Sequence, residues 1–341
     1  MDFPIGIAET QLLPEVFQMQ HTEIKAIEDL SLNAWPSHQM QLYDGWILRF
    51  SYFYTHRTNC VEQFGSSVLP LEQKIPYCEG IYRRWKSPCI FKITPLSDPD
   101  LDRMLEARGY EIQNKTYTMC MELDAFNSQT DNTLPADTLG DASGNAQTVI
   151  SPSGRKRFTT IRIGDMTVRD RIPDEWIDAL FAIKGNASVT HLKIVPSMYA
   201  AIPKDVRCVY IRDDEKIVAT GLGILDRDYI GVYAINVEAG HRRRGFARKI
   251  VETLLSEGKK AGAKRAYLQV VADNAPAIRL YEDLGFSRAY TYWFRVKSTI
   301  ITSPADDPLA SARQVVGTFP SDFMEDRGQP SWDQIPKREE F

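Results

Sequence analysis

Apolar residues recur at helical spacing from Asp174 to Lys184, behind Pro173 and ahead of Gly185, and predict a helix with an acidic first turn. A second short helix is expected over 196–202. Arg207 to Ile211 and Ile217 to Leu225 are β-branched and apolar runs either side of Asp213-Asp214-Glu215, the pattern of a β-hairpin. Tyr229 to Val237 reads as a third strand. From Gly245 to about Gly262 a long helix carries Ala247, Ile250, Val251, Leu254 and Leu255 on one stripe. Ala266 to Val271 reads as a buried strand, Ala275 to Leu284 as a helix ended by Gly285, and Tyr290 to Val296 as a closing strand. Helices alternating with strands around one central sheet give an α/β class with a mixed sheet.

The earlier part of the chain echoes the end of that plan. Leu71 to Trp85 is expected to be helical despite Pro76, Cys89 to Thr94 a strand, Leu101 to Arg108 a helix stopped by Gly109, and Tyr117 to Leu123 a strand. Leu105-Glu-Ala-Arg-Gly-Tyr110 and Tyr281-Glu-Asp-Leu-Gly-Phe286 are both a helix end, then Gly, then an aromatic. This reads as a diverged duplication of a whole domain. Residues 124–155, dense in Ser, Thr, Asn, Asp, Gly and Pro, cannot bury enough surface to offset their ordering entropy and read as a linker. Proline-rich residues 303–341 read as a tail. The expected organisation is 1–123, linker 124–155, 156–302, tail 303–341.

Composition narrows the function. The 341 residues suit two domains of roughly 100–200. Forty-one Lys and Arg against 45 Asp and Glu leave a net charge of -4, which weighs against bulk binding to nucleic acid or anionic membrane. No run nears the ~20 apolar residues of a bilayer span. Met1-Asp2-Phe3-Pro4 lacks a basic region followed by an apolar stretch, so no signal peptide is expected. Five cysteines form no CxxC, and no His lies near a Cys or another His at metal-ligand spacing. A reduced cytoplasmic protein without a metal is the expectation.

The chemistry concentrates after the strand ending Ile235-Asn236-Val237. There follow Arg242, Arg243 and Arg244, then Gly245-Phe246-Ala247 opening the long helix. Unpaired N–H groups at a helix N-terminus, the macrodipole and three arginines make a cradle for a diphosphate. Alone, such a cluster is more often a solvated surface. Further on, Asn274 can cap the helix beginning at Ala275, and Pro276 suits its first turn. At about 100° per residue, a helical Asn274 would face the same way as Tyr281, into a cleft beside the cradle. The bland alternative makes Asn274 only a cap and Tyr281 only a core aromatic.

Arg242-x-x-Gly245-x-Ala247 with Asn274-x-x-Ala277-x-x-x-Tyr281-x-x-x-Gly285-Phe286 resembles the GNAT superfamily of acyl-CoA N-acyltransferases over about 165–297. Tyr267-Leu-Gln-Val, the closing Tyr-x-Tyr-Trp-Phe-Arg295, Asn33-Ala-Trp-Pro36 and Tyr43-Asp-Gly-Trp-Ile-Leu-Arg-Phe50 resemble a bacterial subgroup of two-domain GNAT-like acetyltransferases. The resemblance implies a GNAT fold in the C-terminal half, preceded by a diverged GNAT-like domain. It implies acetyl-CoA as co-substrate and a small-molecule or peptide amine as acceptor, joined by direct transfer in a ternary complex. By the same likeness the 242–247 loop would hold the CoA pyrophosphate, and Ile235, Asn236 and Val237 would line the pantetheine arm. The Val237 N–H would meet the thioester carbonyl, Asn274 would contact the pantetheine region, and Tyr281 would protonate the departing thiolate. The general base stays unassigned, with Glu238, Asp228 and Asp178 as weak candidates. The first half lacks the motif between Phe64 and Glu72 and has Arg103 or Met104 where Tyr281 falls, so one active site per chain is expected. That half would be a scaffold, an acceptor-side wall bearing Trp46, Tyr52, Phe53 and Tyr54, or a homodimer contact. The alternatives are a longer-chain acyl-CoA N-acyltransferase and a non-catalytic CoA-binding sensor or scaffold.

Overall fold

The computed structural model describes residues 19–52, 54–124, 126, 166–185 and 188–297. Nearly all of the expected linker, the whole of the expected tail, and Phe53 lie outside the described residues.

The first half runs α1 (His21–Ala34), β1 (Gln39–Tyr43), β2 (Trp46–Phe50), β3 (Val61–Gln63), α2 (Leu71–Arg84), β4 (Ile90–Ile93), α3 (Leu101–Ala107) and β5 (Glu111–Glu122). The second runs β6 (Met166–Arg169), α4 (Asp174–Lys184), α5 (Val189–Ala200), β7 (Asp205–Asp213), β8 (Lys216–Asp226), β9 (Tyr229–Val237), α6 (Phe246–Lys260), β10 (Arg265–Val271), α7 (Ala275–Asp283) and β11 (Ser287–Val296). The fold is mixed α/β, built on one sheet ordered β1-β2-β3-β4-β11-β5-β10-β9-β8-β7-β6.

Local chemistry explains the helix ends. Glu23 accepts from the Gln20 N–H at 3.1 Å and starts α1, which then buries Ile24, Ile27, Leu30 and Ala34 along one stripe. Gly185, at φ 71, ends α4. Helix α5 begins seven residues earlier than the 196–202 expected, because Ser188 caps it by accepting from the His191 N–H at 3.1 Å. Pro196 then lies inside that helix.

The two halves are interleaved. β11, the last described strand of the second half, lies between β4 and β5; β5, the last of the first half, lies between β11 and β10. Both contacts of β11 and both of β5 are antiparallel. Outward from this central pair the same relationships repeat: β4 is parallel to β3 on one side, and β10 parallel to β9 on the other. Such symmetry is what a duplicated unit with exchanged final strands produces.

One sheet face is covered by α1, α4 and α5 over Tyr233, Tyr267, Tyr290 and Tyr292. The other, in the second half, is covered by α6 and α7 over Ile230, Val232, Leu268 and Val270. On the first face Lys92 of β4 is buried between Glu28 of α1 and Glu62 of β3, 3.0 Å from the latter, and Tyr290 of β11 donates to Glu28 at 2.5 Å. Burial disfavours the ammonium, but the two carboxyls outweigh it and hold Lys92 above its ordinary range. Burial also opposes ionisation of Glu28, but Lys92 and the hydrogen bonds from Glu62 and Tyr290 together outweigh it, so that carboxyl sits below its usual value. Glu62 is pushed up to about 7, by burial first and then by the charge of Glu28.

A pH dependence follows. Glu62 keeps in the fold a proton it loses near its ordinary 4.5 when unfolded. Its contribution is therefore complete below that value and is lost as pH rises through about 7, with a slope approaching ~1.4 kcal/mol per pH unit. Urea midpoints of the wild type should fall between pH 5 and 7 and level off above that, and Glu62→Gln, permanently neutral, should flatten that fall. An identical slope in the variant would show that Glu62 is ionised in the fold.

Candidate functional site

The site begins with a defect in β9. Its register against β8 runs Leu222↔Tyr233 and then Thr220↔Asn236, so β9 carries one extra residue. Ala234 absorbs it at φ 51, a left-handed conformation that costs an alanine about 1 kcal/mol. Two side chains hold it there: Thr220 Oγ1 donates to the Ala234 carbonyl at 3.2 Å, and Asn236 Nδ2 at 2.9 Å. Behind the bulge, a Cβ on Gly221 would lie 2.3 Å from Ile250 and 2.9 Å from Ile235. Helix α6 therefore sits hard against β8 where a side chain would push it away.

β9 and β10 then part. Their parallel pairing runs from Arg265↔Tyr229 to Leu268↔Val232 and goes no further. Gln269 to Val271 pair only with β5, and Asn236 and Val237 only with β8. The Glu238 N–H donates to the Val218 carbonyl at 2.9 Å, so by antiparallel alternation the N–H and C=O of Val237 turn away from β8 into the gap. Arg242 Nε donates to that Val237 carbonyl at 3.2 Å.

Above the gap stands the cradle. After a single 3-10 turn at Ala239–His241, Arg243 (φ 63) and Gly245 (φ 82) both take positive φ and turn the chain into α6. Apart from its two chain neighbours, no described residue comes within 4 Å of where a Gly245 Cβ would stand, which leaves room for a ligand. The Lys249 N–H bonds the Gly245 carbonyl at 3.0 Å as the first bond of the helix, so the N–H groups of Phe246, Ala247 and Arg248 have no helical partner. The arginines differ. Arg242 is tied to Val237; Arg244 lies over the Phe246 ring and 3.6 Å from Asp213; exposed Arg243 has no ion pair or hydrogen bond among the described residues. The Phe246 side chain is core, so that residue has only its backbone to offer a ligand.

Tyr281 is 8% exposed in α7, in the apolar cluster against which Ile235, Val237 and Ala277 also pack. Its hydroxyl has no hydrogen-bond partner among the described residues, and burial pushes the phenol up to about 12. Asn274 is exposed and non-helical (ψ 65), and its Oδ1 accepts from the Ala277 N–H at 3.2 Å. It is the cap of α7, and the helical-wheel argument pairing its side chain with Tyr281 does not apply.

The weak base candidates are occupied or remote. Glu238 is held below its usual value by Lys216, Asp228 pairs with Arg265 at 2.7 Å at the far end of β9, and Asp178 is exposed on α4. An open depression of about 500 Å³ lined by Ile202, Lys204, Asp226 and Arg227 lies at that far end too, where Lys204 and Asp226 satisfy each other at 2.9 Å. No group of three His, Cys, Asp or Glu side chains among the described residues could hold a metal ion. No helix among them is long and apolar enough to cross a membrane. Thr220 and Ala234 escape a reading of the sequence, since neither a β-branched strand residue nor an alanine signals a bulge.

Residues 174–286 match the acetyltransferase (GNAT) family. An uncharacterized N-acetyltransferase of Bacillus subtilis, YobR, is 24% identical over 81% of this chain and 99% of its own. The ribosomal protein bS18-alanine N-acetyltransferase of Escherichia coli K12 is 36% identical over 22% of this chain, which spans half of that enzyme. Among solved structures, a GCN5-related N-acetyltransferase from Kribbella flavida superposes with TM-score 0.54 at 16% identity, covering 81% of this chain and 95% of that one, a likeness of fold. The likeness to the acetyltransferase (GNAT) family thus lies in residues 174–286, which hold the bulge, the gap and the cradle.

Proposed function

We propose that this protein is an N-acetyltransferase that moves the acetyl group of acetyl-CoA to a primary amine of a small molecule or peptide. The observation that carries the reading is the parting of β9 from β10 beyond Val232 and Leu268, with the Val237 N–H turned into the opening beneath the cradle.

In this reading the N–H groups of Phe246 and Ala247, with Gly245 and the flanking Arg242, Arg243 and Arg244, hold the CoA pyrophosphate. The pantetheine arm runs along Ile235, Asn236 and Val237, with Asn274 at its edge. The amine attacks the thioester carbon, and the Val237 N–H meets the oxygen as charge gathers there, a contribution of order 10²–10³ in rate for one such donor. The new C–N bond forms, the C–S bond breaks, and the thiolate takes the Tyr281 proton. The nitrogen sheds its proton to water, and Tyr281 is reprotonated from solvent. A phenol near 12 stays protonated throughout the working pH range, and its hydroxyl is not otherwise engaged.

One such site per chain is proposed, with the first half as the acceptor-side wall. Tyr54 accepts from Lys184 at 3.4 Å, and the Tyr52 carbonyl lies 3.4 Å from His191, so the first half reaches α4 and α5. That the E. coli relative acts on an alanine of ribosomal protein bS18 supports a peptide amine as one substrate class. Five cysteines without disulfides fit the reducing cytoplasm. The test is binding of acetyl-CoA followed by thiol release when amines are added. Absence of either step would end the reading.

A further inference from the structure

Resting on the acyl-transfer reading, we propose that the acceptor carries a carboxylate as well as its amine, and that Arg57 of the first half reads it. Arg57 belongs to the 3-10 turn His56–Thr58. Its Nε donates to Gln269 Oε1 at 3.0 Å and to the Tyr292 hydroxyl at 2.9 Å. Gln269 is the first residue of β10 beyond its pairing with β9, and its amide donates to Ser31 of α1 at 3.3 Å. Arg57 thus stands where the gap opens, on the α1 face of the sheet. The cradle and Tyr281 belong to the α6–α7 face. A donor bound from that side leaves the α1 face as the way in for an acceptor.

The terminal nitrogens of Arg57 have no hydrogen bond and no ion pair among the described residues. Other sheltered cations here are matched: Arg295 to Asp102, Arg265 to Asp228, Lys92 to Glu28 and Glu62. Buried Arg49 spends its guanidinium on the carbonyls of Trp35 and Arg57, the latter at 2.5 Å, and so fixes the Arg57 backbone. The result is a half-buried guanidinium beside the Tyr292 ring whose hydrogen bonds are all made by Nε, leaving its outer edge unpaired among the described residues. That edge is the fork that binds a carboxylate through two parallel hydrogen bonds, and fixing it in advance reduces the entropy lost on binding.

The test measures thiol release from acetyl-CoA with glycine, β-alanine and glutamate, each against its carboxamide and its decarboxylated amine. It is accompanied by calorimetric titration of the same compounds into the CoA-loaded protein. The wild type should favour the carboxylates about 10- to 100-fold in kcat/KM, through KM, as one charge-assisted pair allows. Arg57→Gln should collapse that ratio to near one with acetyl-CoA affinity unaltered, and Arg57→Lys should retain part of it. Equal use of the neutral amines by the wild type, or a ratio unchanged in Arg57→Gln, overturns the proposal. So does acetyl-CoA binding without transfer to, or binding of, any carboxylate of the panel. Failure to bind acetyl-CoA removes the acyl-transfer reading itself.

Discussion

Gly245→Asp is expected to abolish acetyl-CoA binding while leaving the protein folded. The position has φ 82, so any side chain costs about 1 kcal/mol of backbone strain, but beyond its chain neighbours its Cβ would meet no described residue within 4 Å. The damage falls on the ligand. A carboxylate would occupy the space in front of the Phe246 and Ala247 N–H groups, which have no helical partner, and would repel a diphosphate. Losing two charge-assisted hydrogen bonds at about 2 kcal/mol each weakens binding on the order of 10³-fold. Gly245→Ala separates the effects, because it carries the same strain without the charge and should bind with an intermediate affinity. Titration calorimetry with circular dichroism as the fold control reads both. Wild-type affinity in Gly245→Asp would place the CoA site elsewhere.

Tyr281→Phe should cut kcat about 100-fold, the low end of what a positioned general acid supplies, with acetyl-CoA affinity within about twofold of wild type. The reasoning comes from what the hydroxyl does not do. The ring lies edge-on to Phe286, 6.0 Å away, in the apolar cluster that also holds Ile278 and Met121, where phenylalanine fits equally well, and the hydroxyl holds no partner among the described residues. Removing it therefore breaks no contact of the fold, and thermal stability should be unchanged or slightly raised. Steady-state kinetics beside a melting curve checks this. If kcat is unaffected, the thiolate takes its proton from water; if stability and kcat fall together, Tyr281 is a packing residue.

How much of this the sequence disclosed depends on the range of the interaction. The stripe Ile250, Val251, Leu254 and Leu255 is local and periodic, and α6 lies where that stripe places it. The same is true of α4 with its terminal Gly185, and of the β7–β8 hairpin around the Asp214 turn. Arg242, Gly245 and Ala247 signal a cradle because a helix start is also local. The gap is different. Val232 and Leu268 look like any strand residues, and that pairing stops at them depends on the bulge at Ala234, which Thr220 holds from the neighbouring strand. The exchange of β5 and β11 joins residues more than 150 positions apart, such as Thr116 and Tyr292, and no periodicity encodes it. Arg57 is the extreme case. It sits in a polar turn, Thr55-His-Arg-Thr-Asn59, and only the fold brings it to Gln269. The apolar pattern does not announce α1, because Glu28 and Ser31 interrupt its stripe, and both are buried against Lys92 and Gln269.

Calorimetric titration of the whole chain with acetyl-CoA, with NADH as the comparison, tests the central claim most directly. One acetyl-CoA per chain and no NADH is the result expected from a single cradle above a single gap between β9 and β10. Two per chain would mean that the first half, which has no Arg-x-x-Gly-x-Ala between Phe64 and Glu72, also binds the donor. No binding at all would contradict the proposed acetyl transfer outright and leave the Gly245 cradle as a remnant in a scaffold.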